Sequence, residues 1–197
     1  MKNLITHYEW NLFFEKIKEF GLTFVDNEKC LESSKLRGDT HTIIHRLIKD
    51  QIPDWIRQGI PEDIIVLQIF AIEPNTVGLI HKDGIDRLCA FNIPIQNCNA
   101  GTMDWFDDSC YSTYSVENNY TTIRVTNEQV THGKEFENTP AFSTLVTYPS
   151  LVNTNAWHRV DNRGVLNFRW MLSLRFKNNL SFELMTEKFN NAFKRSF

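Results

Sequence analysis

Three side chains in this sequence could hold one metal ion together: His81, Asp83 and His158. His81 and Asp83 flank Lys82 in an H-x-D triplet at the end of a strand pattern. Residues i and i+2 of a strand share a face, so an imidazole and a carboxylate converge there. His158, in the short strand pattern AWHRVDN, is the best candidate for a third ligand. Two imidazoles and one carboxylate are the donor set of mononuclear non-haem Fe(II) centres. Three ligands on one face leave three positions open. Two of these suit a bidentate 2-oxo acid and one suits O2.

A dicarboxylic 2-oxo acid needs a cation for its far end. Arg169 lies eleven residues after His158, on the neighbouring strand, and its guanidinium offers a bidentate fork. It reads alternatively as a buried salt-bridge partner. Arg175 shares the face of Arg169 but stands roughly 20 Å further along at about 3.3 Å per residue, too far for both to hold one carboxylate. Arg87 pairs with Asp86 or Asp83, or contacts a cofactor. Asn92, inside an apolar strand, either lines the pocket or braces a neighbouring strand. Trp105 and Phe106 read as core before substrate platform. His41 and His45 stand at i and i+4 without a third ligand nearby, which is a plain helix face, and His132 belongs to a polar loop.

The elements that must position these residues are legible as periodic patterns. Trp10, Phe13, Phe14, Ile17 and Phe20 predict an amphipathic helix over 8–20, ended by Gly21. Residues 41–50 (HTIIHRLIKD) predict a second helix, and Pro53 and Pro61 bracket a short third segment. After Pro61 the texture turns to strands: 64–72, 78–83, 87–95, 101–106, 121–126, 142–148, 156–161 and 166–176. In the last of these, Phe168, Trp170, Leu172, Leu174 and Phe176 fall on one face, and Arg169, Met171, Ser173 and Arg175 on the other. The bulky face calls for a helix layer and the other for an interior. Residues 107–120 read as a surface loop, the stretch 107–140 as the region that sets specificity, and 182–197 as a terminal helix.

IHKDGIDRLCAFNIPI, TMDWF and WHRVDNRGVLNFRWMLSLRF, taken in order, resemble the Fe(II)/2-oxoglutarate-dependent oxygenases of phage and bacterial type. They are distantly similar to the aspartyl/asparaginyl β-hydroxylase-like branch. The resemblance covers residues 64–177. It implies a double-stranded β-helix (jelly-roll, cupin-like), mainly β with flanking N-terminal helices and a C-terminal helix. It implies His81, Asp83 and His158 as Fe(II) ligands, and Arg169 as the residue on the 2-oxoglutarate tail. It matches Arg87 to a second cofactor-contacting arginine. That branch often lacks the carboxylate ligand, whereas this chain has Asp83. The expected organisation is one domain over 1–197: helical support to 62, a jelly-roll core over 63–178 and a terminal helix over 179–197.

Composition narrows the class further. The 197 residues carry a net charge of -3, so no basic face advertises a nucleic-acid partner. Cys30, Cys89, Cys98 and Cys110 show no CxxC spacing, which suits a reducing compartment. The N-terminal stretch lacks a signal-peptide core, and no apolar run reaches membrane-span length, so the expectation is a cytoplasmic chain without a membrane partner. The expected partners are O2 and a small-molecule or peptide substrate. Two rivals remain. A cupin-type metalloenzyme without 2-oxoglutarate would cluster more histidines in its first motif. A non-catalytic jelly-roll binding domain would carry no iron.

Overall fold

The computed structural model describes residues 4–25, 42–78, 80–83, 87–107, 123–124 and 139–196. The strands are β1 (Ile5–His7), β2 (Thr42–Ile48), β3 (Ile64–Ile72), β4 (His81–Lys82), β5 (Cys89–Gln96), β6 (Thr102–Trp105), β7 (Ile123–Arg124), β8 (Phe142–Leu145), β9 (Ser150–Asn153), β10 (His158–Asp161) and β11 (Arg169–Phe176). The helices are α1 (Leu12–Leu22), α2 (Asp54–Gly59) and α3 (Phe182–Ala192). No helix among the described residues is long and apolar enough to cross a membrane.

Two antiparallel sheets form. The larger has the order β1-β9-β5-β11-β3-β2, the smaller β7-β4-β10-β6-β8. Four pairings show how the chain is wound: β3 with β11, β4 with β10, β5 with β9, and β6 with β8. First joins last and the pairs nest inward, as in one long hairpin rolled up. The roll is closed by β11 on β5 and β10 on β6. This is the jelly-roll, or double-stranded β-helix.

The two faces of β11 divide as its period predicts. Trp170, Leu172 and Leu174 pack outward with Phe14 and Ile17 of α1 and Phe182 and Phe189 of α3. Met171 packs inward, between the sheets, with Met103 and Trp105. Full burial of each such outer side chain is worth about 1.5–3 kcal/mol, so the helix layer is held chiefly by this face. Asn11 caps α1 by accepting from the Phe14 N–H at 3.0 Å, and Ser181 caps α3 in the same way.

Several expectations need correction. Residues 42–48 form a strand, not a helix, followed by one 3-10 turn at Lys49–Gln51. Ile43, Ile44, Leu47 and Ile48 fit a helix face, but the run is β-branched and β3 offers an open edge, which β2 pairs along its whole length. His45 therefore has no helical i−4 partner, and its ring lies 4.8 Å from that of Phe24. Gly21 does not end α1 but sits inside its last turn, where a Cβ would lie 2.4 Å from Ile95 Cδ1. It is a close-approach glycine, and the helix ends at Thr23. Strands β1 and β9 were not expected at all. Among the described residues of 78–83 the strand is the two-residue β4, and the terminal helix stops at Ala192. His41, His132 and nearly all of the 107–140 loop lie outside the described residues, as do Cys30 and Cys110.

Candidate metal centre

The rolled hairpin brings His81 and His158 side by side. They are register partners on β4 and β10, with ring centroids 4.4 Å apart. Asp83 follows β4 directly, and its N–H donates to the Thr154 carbonyl at 3.0 Å. Ligand atoms from His81, Asp83 and His158 all lie within 4.8 Å of one another. His158 is also the register partner of Trp105, whose ring packs between the sheets, so the cluster faces the interior of the roll. A two-imidazole, one-carboxylate set this compact can hold one divalent metal ion.

The protonation states suit that role. Nδ1 of His158 meets the Ala156 carbonyl at 2.8 Å; a carbonyl only accepts, so Nδ1 carries the hydrogen and Nε2 keeps its lone pair. Burial, helped by His81, lowers the His158 pKa to about 4, so the ring is neutral at neutral pH. Burial pushes the Asp83 carboxyl up, but the Arg87 guanidinium and the two histidines outweigh it and hold the group below the ordinary range. His158 is 4% exposed, whereas the side chains of His81 and Asp83 are 27% and 17% exposed. The centre is therefore closed behind His158 and open on the side of the other two.

The structure separates the three arginines. Arg87 lies next to the metal cluster, with Nη1 3.2 Å from Asp83 Oδ2 and Nη2 donating to Ser173 Oγ at 2.9 Å. Asp86 lies outside the described residues. Arg169 is 1% exposed at the other end of β11, with Nη1 donating to the Thr102 carbonyl at 3.2 Å. Its Nε has no hydrogen-bond partner, and no described carboxylate pairs with it. Thr102 faces Asp161 in register, so Arg169 reaches the deep end of the strand that starts at His158. Arg175 is two residues beyond Ser173 on the same inner face, opposite Val66.

Asn92 is half-buried on the inner face of β5, and the register places it in a continuous polar line. Arg46, Gln68, Ser173, Asn92, Ser150 and His7 are successive partners across all six strands of the large sheet. The sequence gives no hint of this line, because each member looks like an isolated polar residue until strand register is known. Asn162, the asparagine of the V-x-N that follows His158, carried no assigned role in the sequence. It is fully buried, donates to the Glu73 carbonyl at 2.7 Å, and leaves its Oδ1 without a partner beside Arg169. Gly101 makes room for both: a Cβ there would lie 2.5 Å from Asn162 Oδ1 and 2.9 Å from Arg169 Nη1. Trp105 and Phe106 are core, at 1% and 7% exposure. Cys89 is buried, and burial pushes its thiol up to about 12, which leaves it without nucleophilic character.

No family model matches this chain, and no curated protein does. Among solved structures it is similar to the crystal structure of an oxidoreductase of the 2OG-Fe(II) oxygenase family from Burkholderia pseudomallei. The likeness has 11% identity, a TM-score of 0.40, and covers 92% of this chain and 98% of that one.

Proposed function

We propose that this chain is an Fe(II)- and 2-oxoglutarate-dependent dioxygenase that hydroxylates a peptide side chain or small metabolite. What supports this most is one juxtaposition: an assembled His-Asp-His set and a buried Arg169 without a carboxylate partner among the described residues share one barrel interior. His81, Asp83 and His158 would hold the iron. Iron there supplies the redox chemistry that couples O2 to the decarboxylation of 2-oxoglutarate, giving succinate and CO2, and to oxidation of a C–H bond.

The remaining work falls to this chain's own residues. Arg169 gives the far carboxylate of the co-substrate a charged fork at the deep end of the roll. Gly101 leaves that arginine space, and the Thr102 carbonyl holds its Nη1. The backing of Trp105 and Met103 excludes water behind His158, which strengthens each charge interaction inside. Residues 63–178 would form the catalytic core of a single domain, with the flanking segments as support.

The decisive experiment is a succinate assay with purified protein, Fe(II), 2-oxoglutarate and O2, repeated for His81→Ala and His158→Ala. Both substitutions are expected to abolish turnover, and turnover retained in either overturns the triad. Trp105 lies beside His158, so Fe(II) plus 2-oxoglutarate without oxygen should quench tryptophan fluorescence. A turnover screen over amino acids, peptides and other small metabolites then identifies the substrate.

A further inference from the structure

Asp83 and Arg87 are tied together by a residue from elsewhere in the chain. The Asp83 N–H donates to the Thr154 carbonyl at 3.0 Å, and the Thr154 hydroxyl donates to the Arg87 carbonyl at 2.8 Å. Thr154 is 3% exposed and follows β9 directly, so one buried residue fixes both ends of the 83–87 segment. The two carboxylate oxygens of Asp83 then have different neighbours. Oδ1 is the oxygen 3.6 Å from His81 Nε2, and Oδ2 is 3.2 Å from Arg87 Nη1. The other arm of Arg87 is spent on Ser173 Oγ, at 2.9 Å on the inner face of the large sheet. The guanidinium therefore braces a carboxylate of the small sheet against a strand of the large one.

We propose that Arg87 is a positioning residue that reserves Asp83 Oδ2, so that Asp83 offers a metal only Oδ1 and all three remaining positions stay open, two for a bidentate 2-oxo acid and one for O2. The inference rests on the metal-centre reading above. It assigns Arg87 a different task from the cofactor contact that the sequence resemblance implies. The physical basis is the planar fork: a carboxylate free to rotate can chelate through both oxygens and consume an open position, whereas one held through Oδ2 cannot. Lysine keeps the charge but is a point donor that cannot span Asp83 and Ser173 in fixed geometry.

The test uses Co(II) as a spectroscopic stand-in for Fe(II), at saturation, with Arg87→Met, Arg87→Lys and Ser173→Ala. Two co-substrate probes are compared: 2-oxoglutarate, and pyruvate, which has the same chelating end and no distal carboxylate. In Arg87→Met the d–d absorption before any 2-oxo acid is expected to weaken, as an extra oxygen raises the coordination number. Affinity should fall about 10-fold or more, by the same factor for both probes, as outer partners of metal ligands typically cost. Arg87→Lys should recover part of this loss. Ser173→Ala, which removes a single hydrogen bond and spares the fold, should show a smaller loss that is again equal for both probes. A loss confined to 2-oxoglutarate would make Arg87 a contact of the distal carboxylate and overturn the proposal. Unchanged affinity for both probes overturns it equally. Unsubstituted protein that takes up Co(II) but neither 2-oxo acid overturns the oxygenase reading itself, an outcome recognisable without any variant.

Discussion

Two arginines among the described residues are almost wholly buried, and their surroundings could hardly differ more. Arg159 follows His158 on β10 and points to the opposite, outer face of the small sheet. There its Nε donates to Asp104 Oδ2 at 3.0 Å, Asp161 Oδ2 lies 3.6 Å from Nη2, and the guanidinium lies over the Phe106 ring. Asp104 is fully engaged as well, accepting from Thr102 and Ser143 at 2.9 and 2.6 Å. Arg169 is just as buried, inside the roll, and has a backbone carbonyl where Arg159 has carboxylates. Burial and residue type are the same; the counter-charge is not. A buried charge matched by carboxylates is architecture, whereas one met by a backbone carbonyl is left without a counter-charge, which is costly.

That contrast can be broken experimentally. Asp104→Ala strands Arg159 in the interior, and chemical denaturation should show a loss of about 3–5 kcal/mol. A loss under 1 kcal/mol would mean that the Arg159 network carries no structural weight. Arg169→Met should do the reverse: ligand-free stability stays level or rises, while the 2-oxoglutarate requirement climbs about 10- to 100-fold, the 1.5–3 kcal/mol typical of hydrogen bonds to charged groups. An unchanged requirement would move the role to another cation.

Acid should expose a cost of similar size at the metal centre. Folded His158 takes a proton only near pH 4, whereas the unfolded chain takes one near 6.5. Between these values the unfolded state holds the extra proton, so metal-free protein loses stability as pH falls through that window, by roughly 3 kcal/mol at most. The Asp83 contribution is present above its unfolded value of 3.8 and is lost only below it, as pH falls towards the depressed folded value. A divalent metal should shift the acid midpoint downward, because ligands held by a metal resist protonation. A midpoint insensitive to metal in thermal melts at graded pH argues against the site. The smallest effect is expected of Gly101→Ala, about 1–3 kcal/mol of overpacking. Because Asn162 is anchored to the Glu73 carbonyl, Arg169 must yield, so the 2-oxoglutarate requirement should rise together with the stability loss.

The contrast also marks what could be read before the fold was known. The H-x-D triplet and the two faces of β11 were legible because each depends on spacing within one element, whereas His158, on another strand, entered as a candidate and through the resemblance. The strand from 64 to 72 was legible for the same reason, and its observed bounds agree. Residues 42–48 failed because their spacing fits both periods, and the decision lies with β3, whose edge they fill. Asn162 and the polar line through Asn92 failed for a further reason. Their meaning comes from neighbours on other strands, and register is a property of the assembled sheet. The same holds for Arg87: its sequence neighbours left a pair with Asp86 or Asp83 and a cofactor contact open, but Ser173 and Thr154, which give the Asp83 pair its direction, come from β11 and the end of β9.

The nested winding of the strands also orders events in time. Because β3 closes against β11 and β4 against β10, every pairing around the metal centre joins distant parts of the chain. Such non-local contacts place a fold among the slow ones, in the range of milliseconds to seconds. His81 and Asp83 emerge from the ribosome long before His158, so a growing chain presents an incomplete donor set that would grip a metal ion weakly. Full affinity should arrive only with the roll itself. In refolding experiments, Co(II) uptake should then lag behind the recovery of α1 and α3 helicity, and metal captured before the sheets have formed would show that the histidines meet earlier than this winding allows.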